Sequence, residues 1–71
     1  MIAPGQTIGI LGGGQLGRML AMAAAQLGYR CHVHAPEPDS VAADVAARFT
    51  CAPWDDAAAL ARFAGDCAVV T

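Results

Sequence analysis

The chain has 71 residues, which is enough for one small domain at most. It is 56% hydrophobic and 14% charged, with four Arg, no Lys and a formal net charge of −2. This composition excludes a solvated disordered tail, and it argues against a nucleic-acid binder because four scattered Arg cannot form a basic patch. A core this small rarely supplies more than about 3–5 kcal/mol, so we expect a stabilising partner, either more of the same polypeptide or another chain.

The three cysteines are Cys31, Cys51 and Cys67, and their spacings match no zinc or redox motif. We interpret them as buried thiols in a reducing compartment. The first residues lack the positive segment and apolar run of a signal peptide, and the longest apolar stretch, residues 19–25, is far below the ~20 residues that span a bilayer. The sequence therefore predicts a soluble, cytoplasmic protein with no membrane segment.

The N-terminal third reads as a strand, a glycine turn and a helix. Residues 7–11 form a short apolar run with the composition of a strand buried on both faces, and three glycines then open a turn. Residues 15–27 are rich in helix formers, and Gly28 follows at the position of a left-handed C-cap. One face of this helix is predicted to pack on the sheet through an apolar stripe: Leu16, Leu20, Ala23, Ala24 and Leu27.

The remaining residues continue the alternation of strands and helices. Further strands are predicted at residues 29–35, 48–51 and 67–71, and helices at residues 41–47 and from about 57 to 64. Ser40 is the predicted N-cap of the first of these helices, with Val41 and Val45 on one face. Asp55 or Asp56 is expected to cap the second, with Leu60 and Phe63 facing inward and Gly65 ending it.

This order predicts an α/β fold, a Rossmann-like parallel sheet of about four strands with helices on both faces. The last strand has no covering helix after it, although parallel strands are normally buried on both faces. We therefore expect these residues to be the start of a longer, truncated domain.

The glycine cluster satisfies G-x-G-x-x-G in the required context, with a strand before it and a helix after it. Gly12 permits a tight turn, Gly14 lets a ligand approach the backbone, and Gly17 lets the helix lie close to the strand. The free amides of the first helical turn then favour an anion or another polar ligand. A turn kept only for tight packing explains the same pattern, so the pattern alone leaves both interpretations open.

A dinucleotide is one possible ligand, as in the NAD(P)-binding domain of an oxidoreductase. Such sites place an acid at the end of the second strand, where this sequence has Ala35. Glu37 would have to reach back past a proline to hold the ribose. A fragment that binds nothing is a further alternative.

Other polar residues carry weaker signals. His32 and His34 share one face of a strand, but no third ligand is evident, so we expect no metal site. Arg18 lies in the first helical turn, where it is a possible phosphate partner or an ordinary surface residue. Trp54 is interpreted as a small-core anchor. No nucleophile and base can be assembled, so we expect no catalytic residue in this segment.

The run at residues 8–20, IGILGGGQLGRML, is more specific than the glycine pattern alone. It resembles the N-terminal signature of N5-carboxyaminoimidazole ribonucleotide synthases, the ATP-grasp carboxylating enzymes of purine biosynthesis. The resemblance continues through LGYR at 27–30, PEPD at 36–39, WDD at 54–56 and VVT at 69–71, so it covers essentially the whole chain. Ala35 departs from the family, whose members commonly carry Asp there.

This resemblance implies that residues 1–71 form an N-terminal Rossmann-like, preATP-grasp domain. The full enzyme uses ATP and bicarbonate to carboxylate 5-aminoimidazole ribonucleotide, with ATP and Mg²⁺ held by ATP-grasp domains beyond Thr71 and no cofactor held by this segment. The glycine loop would face the aminoimidazole ribonucleotide through Gly13, Gly14, Gln15 and Leu16. The family also implies a homodimer.

Overall fold

The computed structural model describes residues 5–70, which form a four-stranded sheet with helices on both faces. The strands are β1 (Thr7–Leu11), β2 (Arg30–Ala35), β3 (Arg48–Cys51) and β4 (Val69–Val70). They alternate with α1 (Gln15–Gln26), a 3₁₀ helix (Val41–Val45) and α2 (Ala57–Gly65). The predicted order of elements is confirmed, and Thr71, predicted to end the fourth strand, lies outside the described residues.

All the strand pairs are parallel, in the order β3-β2-β1-β4. Leu11 of β1 lies beside His34 of β2, and Gly9 of β1 lies beside Val70 of β4. The chain therefore steps outward from β1 to β3 and then returns to place β4 on the other side of β1. This reversal confirms the doubly wound layout that the alternating elements predict.

The two faces of the sheet are packed differently because side chains alternate along each strand. Aliphatic side chains and one cysteine form the core under α1 and the 3₁₀ helix: Ile10, Ala21, Ala24, Cys31, Val33 and Ala42. On the opposite face, Phe63 of α2 is buried against the rings of His32 and His34. The α2 face of β2 therefore carries two buried histidines, whereas its α1 face carries Cys31 and Val33, with Tyr29 and Phe49 packed against the same core.

The predicted sheet-facing stripe of α1 is wrong except at Ala24. The residues that α1 buries are Gly17, Ala21 and Ala24, whereas Leu16 and Leu27 are 71% and 70% exposed. The helix lies so close to β1 that its smallest residues must face the sheet. Its leucines are displaced to the rim, where Leu20 and Leu27 line an open apolar groove of about 300 Å³ above Ile8 and Ile10.

The end of α1 follows the sequence closely. The helix stops one residue earlier than predicted, and Leu27 occupies the C-cap position. Gly28 has φ of +90°, so the predicted left-handed residue is present. Its amide donates to the carbonyl of Ala25 at 3.1 Å, which satisfies one of the free carbonyls at the helix end.

The predicted helix at residues 41–47 is only a 3₁₀ helix of five residues. Ser40 occupies its N-cap position as predicted, but the Ser40 side chain makes no capping hydrogen bond. The Ser40 hydroxyl instead donates backward to the carbonyl of Glu37 at 2.7 Å. Val41 is exposed, and the buried side chain of this segment is that of Ala42. Val45, the other residue predicted to face inward, is only partly buried against the core. A short segment with one fully buried methyl group has little apolar surface with which to stabilise a longer α-helix.

The second α-helix agrees with the prediction at its start. Asp56, one of the two aspartates expected to cap it, accepts a hydrogen bond from the amide of Ala59 at 3.0 Å. Phe63 is buried as predicted, whereas Leu60 is only partly buried. Gly65 is the last helical residue, and Asp66 takes the C-cap position.

The three cysteines are free thiols, but only Cys31 is buried; Cys67 is half-buried and Cys51 is exposed. The expectation of three buried thiols is therefore wrong for Cys51, which lies at the end of β3. Burial raises the pKa of the Cys31 thiol. Burial and the nearby Asp66 carboxylate raise the pKa of Cys67, so both thiols stay protonated near neutral pH.

Among residues 5–70, no helix has the length and apolar character needed to cross a membrane. The longer of the two α-helices, α1, has 12 residues.

Candidate functional site

The predicted site lies at the carboxyl edge of the sheet, where β1 ends in the glycine turn. The strand order places β2 and β4 on either side of β1. Strands are therefore added on one side of β1 first and on its other side afterwards, which makes this edge the topological switch point of the sheet. In open α/β sheets, ligands bind in the crevice at such a point. The topology therefore brings the glycine turn and the start of α1 to the position where this class of fold binds its ligands.

Gly12 makes the tight turn that the sequence predicts. Its φ is +111°, a conformation that side-chain-bearing residues rarely adopt. Its amide donates to the carbonyl of His34 at 2.9 Å, which ties the turn to the end of β2. The turn is therefore fixed to two neighbouring strands.

Gly17 has the packing role expected of the third motif glycine. A methyl group placed on Gly17 would lie 2.7 Å from the carbonyl oxygen of Gly12 and 3.5 Å from Ile10. The absence of a side chain therefore allows the first turn of α1 to rest on the glycine turn itself.

Gly14 differs from the other two, because neither its backbone nor its packing requires glycine. Its φ of −80° and ψ of −169° are ordinary extended values. A methyl group on Gly14 would have no neighbour within 4 Å. The missing side chain instead leaves open space in front of the helix N-terminus.

The start of α1 has no side-chain cap. Gly14 is the N-cap residue, and no acidic residue lies in the first turn. The first helical hydrogen bond runs from the amide of Arg18 to the carbonyl of Gly14, at 3.0 Å. The preceding amides have no acceptor within the helix, and the exposed positions of Gly14, Gln15 and Leu16 leave that end open to solvent.

Gly13 lies on the inner side of the turn and is buried. A methyl group there would overlap the Oγ and Cβ atoms of Ser40 and would lie 3.0 Å from Cβ of Ala35. Its carbonyl accepts a hydrogen bond from the amide of Ala42 at 3.1 Å. The turn is therefore packed at Gly13 and open at Gly14.

Arg18 extends from the first turn of α1 toward the 3₁₀ helix. Its guanidinium lies 3.5 Å from the carbonyl oxygen of Val41 and 3.8 Å from the carboxylate of Asp44. About a third of the side chain remains exposed, so the ion pair is weakly stabilising. Its role as a phosphate partner stays a prediction.

The end of β2 does not supply the acid that a dinucleotide site requires. Ala35 is the last residue of β2 and is fully buried beneath Gly13. Glu37 is exposed beyond Pro36. The position that would hold the ribose hydroxyls therefore carries a buried methyl group.

The sequence predicts that His32 and His34 share one face of a strand, but it does not indicate how deeply they are buried. His32 is 2% exposed and His34 is fully buried. The His34 ring lies between Trp54 and Phe63, with ring centroids 5.2 and 5.3 Å away. Trp54, predicted to be a core anchor, is 49% exposed and covers His34 from outside.

The ring nitrogens of these histidines have few partners. His32 Nε2 lies 2.6 Å from the hydroxyl of Thr50, whereas His32 Nδ1 and both nitrogens of His34 are buried without a hydrogen-bond partner. Burial lowers the pKa of His32, and the positive charge of Arg48 lowers it further. No group of three or more metal-ligating side chains lies close together anywhere in the described part of the chain.

Comparison with known proteins identifies the family. The family model described as the ribonucleotide synthetase preATP-grasp domain matches residues 5–71. The N5-carboxyaminoimidazole ribonucleotide synthase of Brucella melitensis biotype 1 is 53% identical over 70 residues, which are 99% of this chain and 19% of that protein. The bifunctional purine synthesis protein purC/E of Dictyostelium discoideum is 52% identical over 71 residues, all of this chain and 7% of that protein.

Solved structures share the fold. An ADP complex of purK, an N5-carboxyaminoimidazole ribonucleotide synthetase, superposes with a TM-score of 0.96 at 48% identity, covering 100% of this chain and 19% of that chain. The N5-carboxyaminoimidazole synthetase of Staphylococcus aureus complexed with ADP gives 0.95 at 43% identity, covering 99% and 19%. The chain thus spans a fifth or less of these relatives. It belongs to the ribonucleotide synthetase preATP-grasp domain family.

Proposed function

We propose that this chain is the N-terminal, substrate-side domain of an ATP-dependent ligase. The ligase carboxylates 5-aminoimidazole ribonucleotide with bicarbonate, giving N5-carboxyaminoimidazole ribonucleotide in purine biosynthesis. The names of the relatives support this reaction. The domain contributes a binding surface, and the catalytic residues lie in other parts of the enzyme.

The observation that carries the proposal is Gly14. Glycine at an N-cap position is less stabilising than Ser or Asp, whose side chains would satisfy the first helical amides. Since the backbone angles and surroundings of Gly14 would accept such a side chain, the open space has a use other than folding. The exposed amides and the positive end of the helix dipole suit the phosphate or another polar group of the ribonucleotide.

Gly13, Gly14, Gln15 and Leu16 are the residues that we assign to the substrate. The exposed Gln15 amide group can donate and accept hydrogen bonds, which suits a heterocycle with both kinds of group. To bind a phosphate, Arg18 would have to break its ion pair with Asp44. Because the two groups are 3.8 Å apart and partly exposed, breaking that pair costs little free energy.

ATP and Mg²⁺ are placed outside this segment in our proposal. The chain has no Lys, and its described residues hold no cluster of three or more metal-ligating side chains. We assign both to ATP-grasp domains of the same polypeptide. Relatives solved with ADP support a nucleotide in the full enzyme.

A homodimer in the cytoplasm completes the proposal, without nucleic-acid or membrane partners. The exposed hydrophobic side chains of α1 support burial against another surface: Leu16, Met19, Leu20, Met22 and Leu27. With four Arg and no Lys, the chain has too few basic residues to form a positively charged patch that would bind nucleic acid.

Titration of the chain with 5-aminoimidazole ribonucleotide, followed by amide NMR, tests this function. We expect shifts at residues 13–17, and no saturable binding of NAD. Gly14→Asp would place a carboxylate on the same amides; it should raise helix stability by a few tenths of a kcal/mol and abolish ribonucleotide binding. Gly65→Ala is the matched control, because a methyl group there also meets nothing within 4 Å. Unchanged spectra at residues 13–17, or tight NAD binding, would overturn the proposal.

A further inference from the structure

Ser40 is buried beside the glycine turn, although it belongs to the segment after β2. It is 7% exposed, and its hydroxyl donates to the carbonyl of Glu37 at 2.7 Å. Its own carbonyl accepts from the amide of Ala43 at 3.1 Å. The first of these bonds fixes the Ser40 side chain, and the second fixes the backbone that carries it.

The Ser40 side chain closes the inner side of the turn. Its Oγ and Cβ atoms occupy the space that a methyl group on Gly13 would need. The amide of Ala42 reaches the carbonyl of Gly13 at 3.1 Å, so the same segment also binds the turn through the backbone. Gly13 is held from behind by residues 40–42, while Gly14 remains open in front.

Attachment of the turn to the sheet and placement of its open amides depend on different residues. Within residues 5–70, the bond from Gly12 to His34 ties the turn to the sheet at its first residue. The position of the amides that follow Gly13 therefore depends on the surface against which Gly13 rests. That surface comes mainly from Ser40, which the local sequence predicts only as a helix N-cap.

We propose that Ser40 is a positioning residue for the ribonucleotide site. The Ser40 side chain packs against Gly13 and limits how far the turn can move toward residues 40–42. This contact sets the direction in which the amides of Gly14, Gln15 and Leu16 point. The inference rests on the proposed function, because the amides matter only if they bind the substrate. Ser40 itself does not touch the ligand in this account.

A double-mutant cycle in the full chain tests the contact. Gly13→Ala should displace the turn and weaken 5-aminoimidazole ribonucleotide binding by about tenfold, because the added methyl group overlaps Ser40. Ser40→Gly removes the side chain that packs against Gly13 and should weaken binding by about threefold. In the double variant the methyl group replaces the missing side chain, so affinity should return to within about threefold of the unmodified chain.

The readouts separate positioning from general destabilisation. Amide shifts of residues 14–16 in the ligand-free variants should move with the affinity, whereas the midpoint of thermal unfolding should not follow it. Additive losses in the double variant would overturn the inference. If Gly13→Ala does not fold, Ser40→Gly alone decides, and affinity equal to that of the unmodified chain would refute the role of Ser40. If the unmodified chain binds no ribonucleotide, the proposed function fails and this inference fails with it.

Discussion

Acid should destabilise the chain through His32. Its imidazole is buried between β3 and α2, edge-on to Phe63, with ring centroids 4.7 Å apart. Nε2 is paired with the Thr50 hydroxyl and Nδ1 has no partner, so a second ring proton would have no acceptor. Burial lowers the pKa of His32, and the positive charge of Arg48 adds to this, outweighing the opposite effect of Asp66. The folded chain therefore keeps His32 neutral at a pH where the unfolded chain protonates it.

The sign and size of the effect follow from proton linkage. Since the unfolded pKa is about 6.5, the unfolded chain binds one more proton than the folded chain below that pH. Stability is complete above about pH 6.5 and falls as the pH decreases toward the folded pKa, by at most about 1.4 kcal/mol per pH unit. Between about pH 7.5 and about pH 5.5 the loss is at most about 1.4 kcal/mol. A core of this size supplies only about 3–5 kcal/mol, so a loss near this upper limit is a large fraction of the total.

Urea unfolding, followed by circular dichroism at several pH values, measures this loss. The variant His32→Phe with Thr50→Val removes both members of the hydrogen-bonded pair and should flatten the pH dependence. His34→Phe is the matched control on the same strand, because it keeps the contribution of His32. A double variant that loses as much stability as the unmodified chain between the two pH values would refute this explanation.

Three further substitutions test the packing that supports the site. Asp56→Ala should lower the free energy of unfolding by about 1 kcal/mol because the helix cap is lost. The control Asp55→Ala should change it by less than about 0.5 kcal/mol. Equal effects in chemical denaturation would contradict the assigned cap. Gly17→Ala should cost about 1–3 kcal/mol because its methyl group approaches the glycine turn, and an unchanged thermal midpoint would show that the helix is not so close. Phe63→Ala should lower the free energy of unfolding by about 3–5 kcal/mol and unfold the chain. Leu60 is only partly buried, so Leu60→Ala should still show a cooperative unfolding transition. A folded Phe63→Ala variant would show that the packing of α2 is not essential.

The sequence predicts the element order and the roles of Gly12, Gly17 and Gly28 because these depend on local rules. Gly12 and Gly28 both have the positive φ expected of them, and Gly17 contacts the turn as the motif requires. The face of α1 could not be predicted in the same way. Apolar periodicity indicates that Leu16 and Leu27 face the sheet, but the close approach of the helix selects Gly17 and Ala21 instead.

The surroundings of the glycine turn depend on contacts between distant parts of the sequence. Ser40 follows a proline-rich turn and precedes a stretch of good helix formers, so a helix cap is the natural local prediction. Its contact with Gly13 appears only once residues 27 positions apart are brought together. The burial of His32 and His34 is likewise set by α2, whose placement on that face follows from the position of β4 in the sheet.

The central claim is that the open start of α1 binds the aminoimidazole ribonucleotide. A crystal structure of the polypeptide with that ribonucleotide bound tests it most directly. The account predicts a ligand oxygen or nitrogen within about 3.2 Å of an amide nitrogen among Gly14, Gln15 and Leu16. A ligand bound elsewhere, with only water at these amides, would contradict the claim.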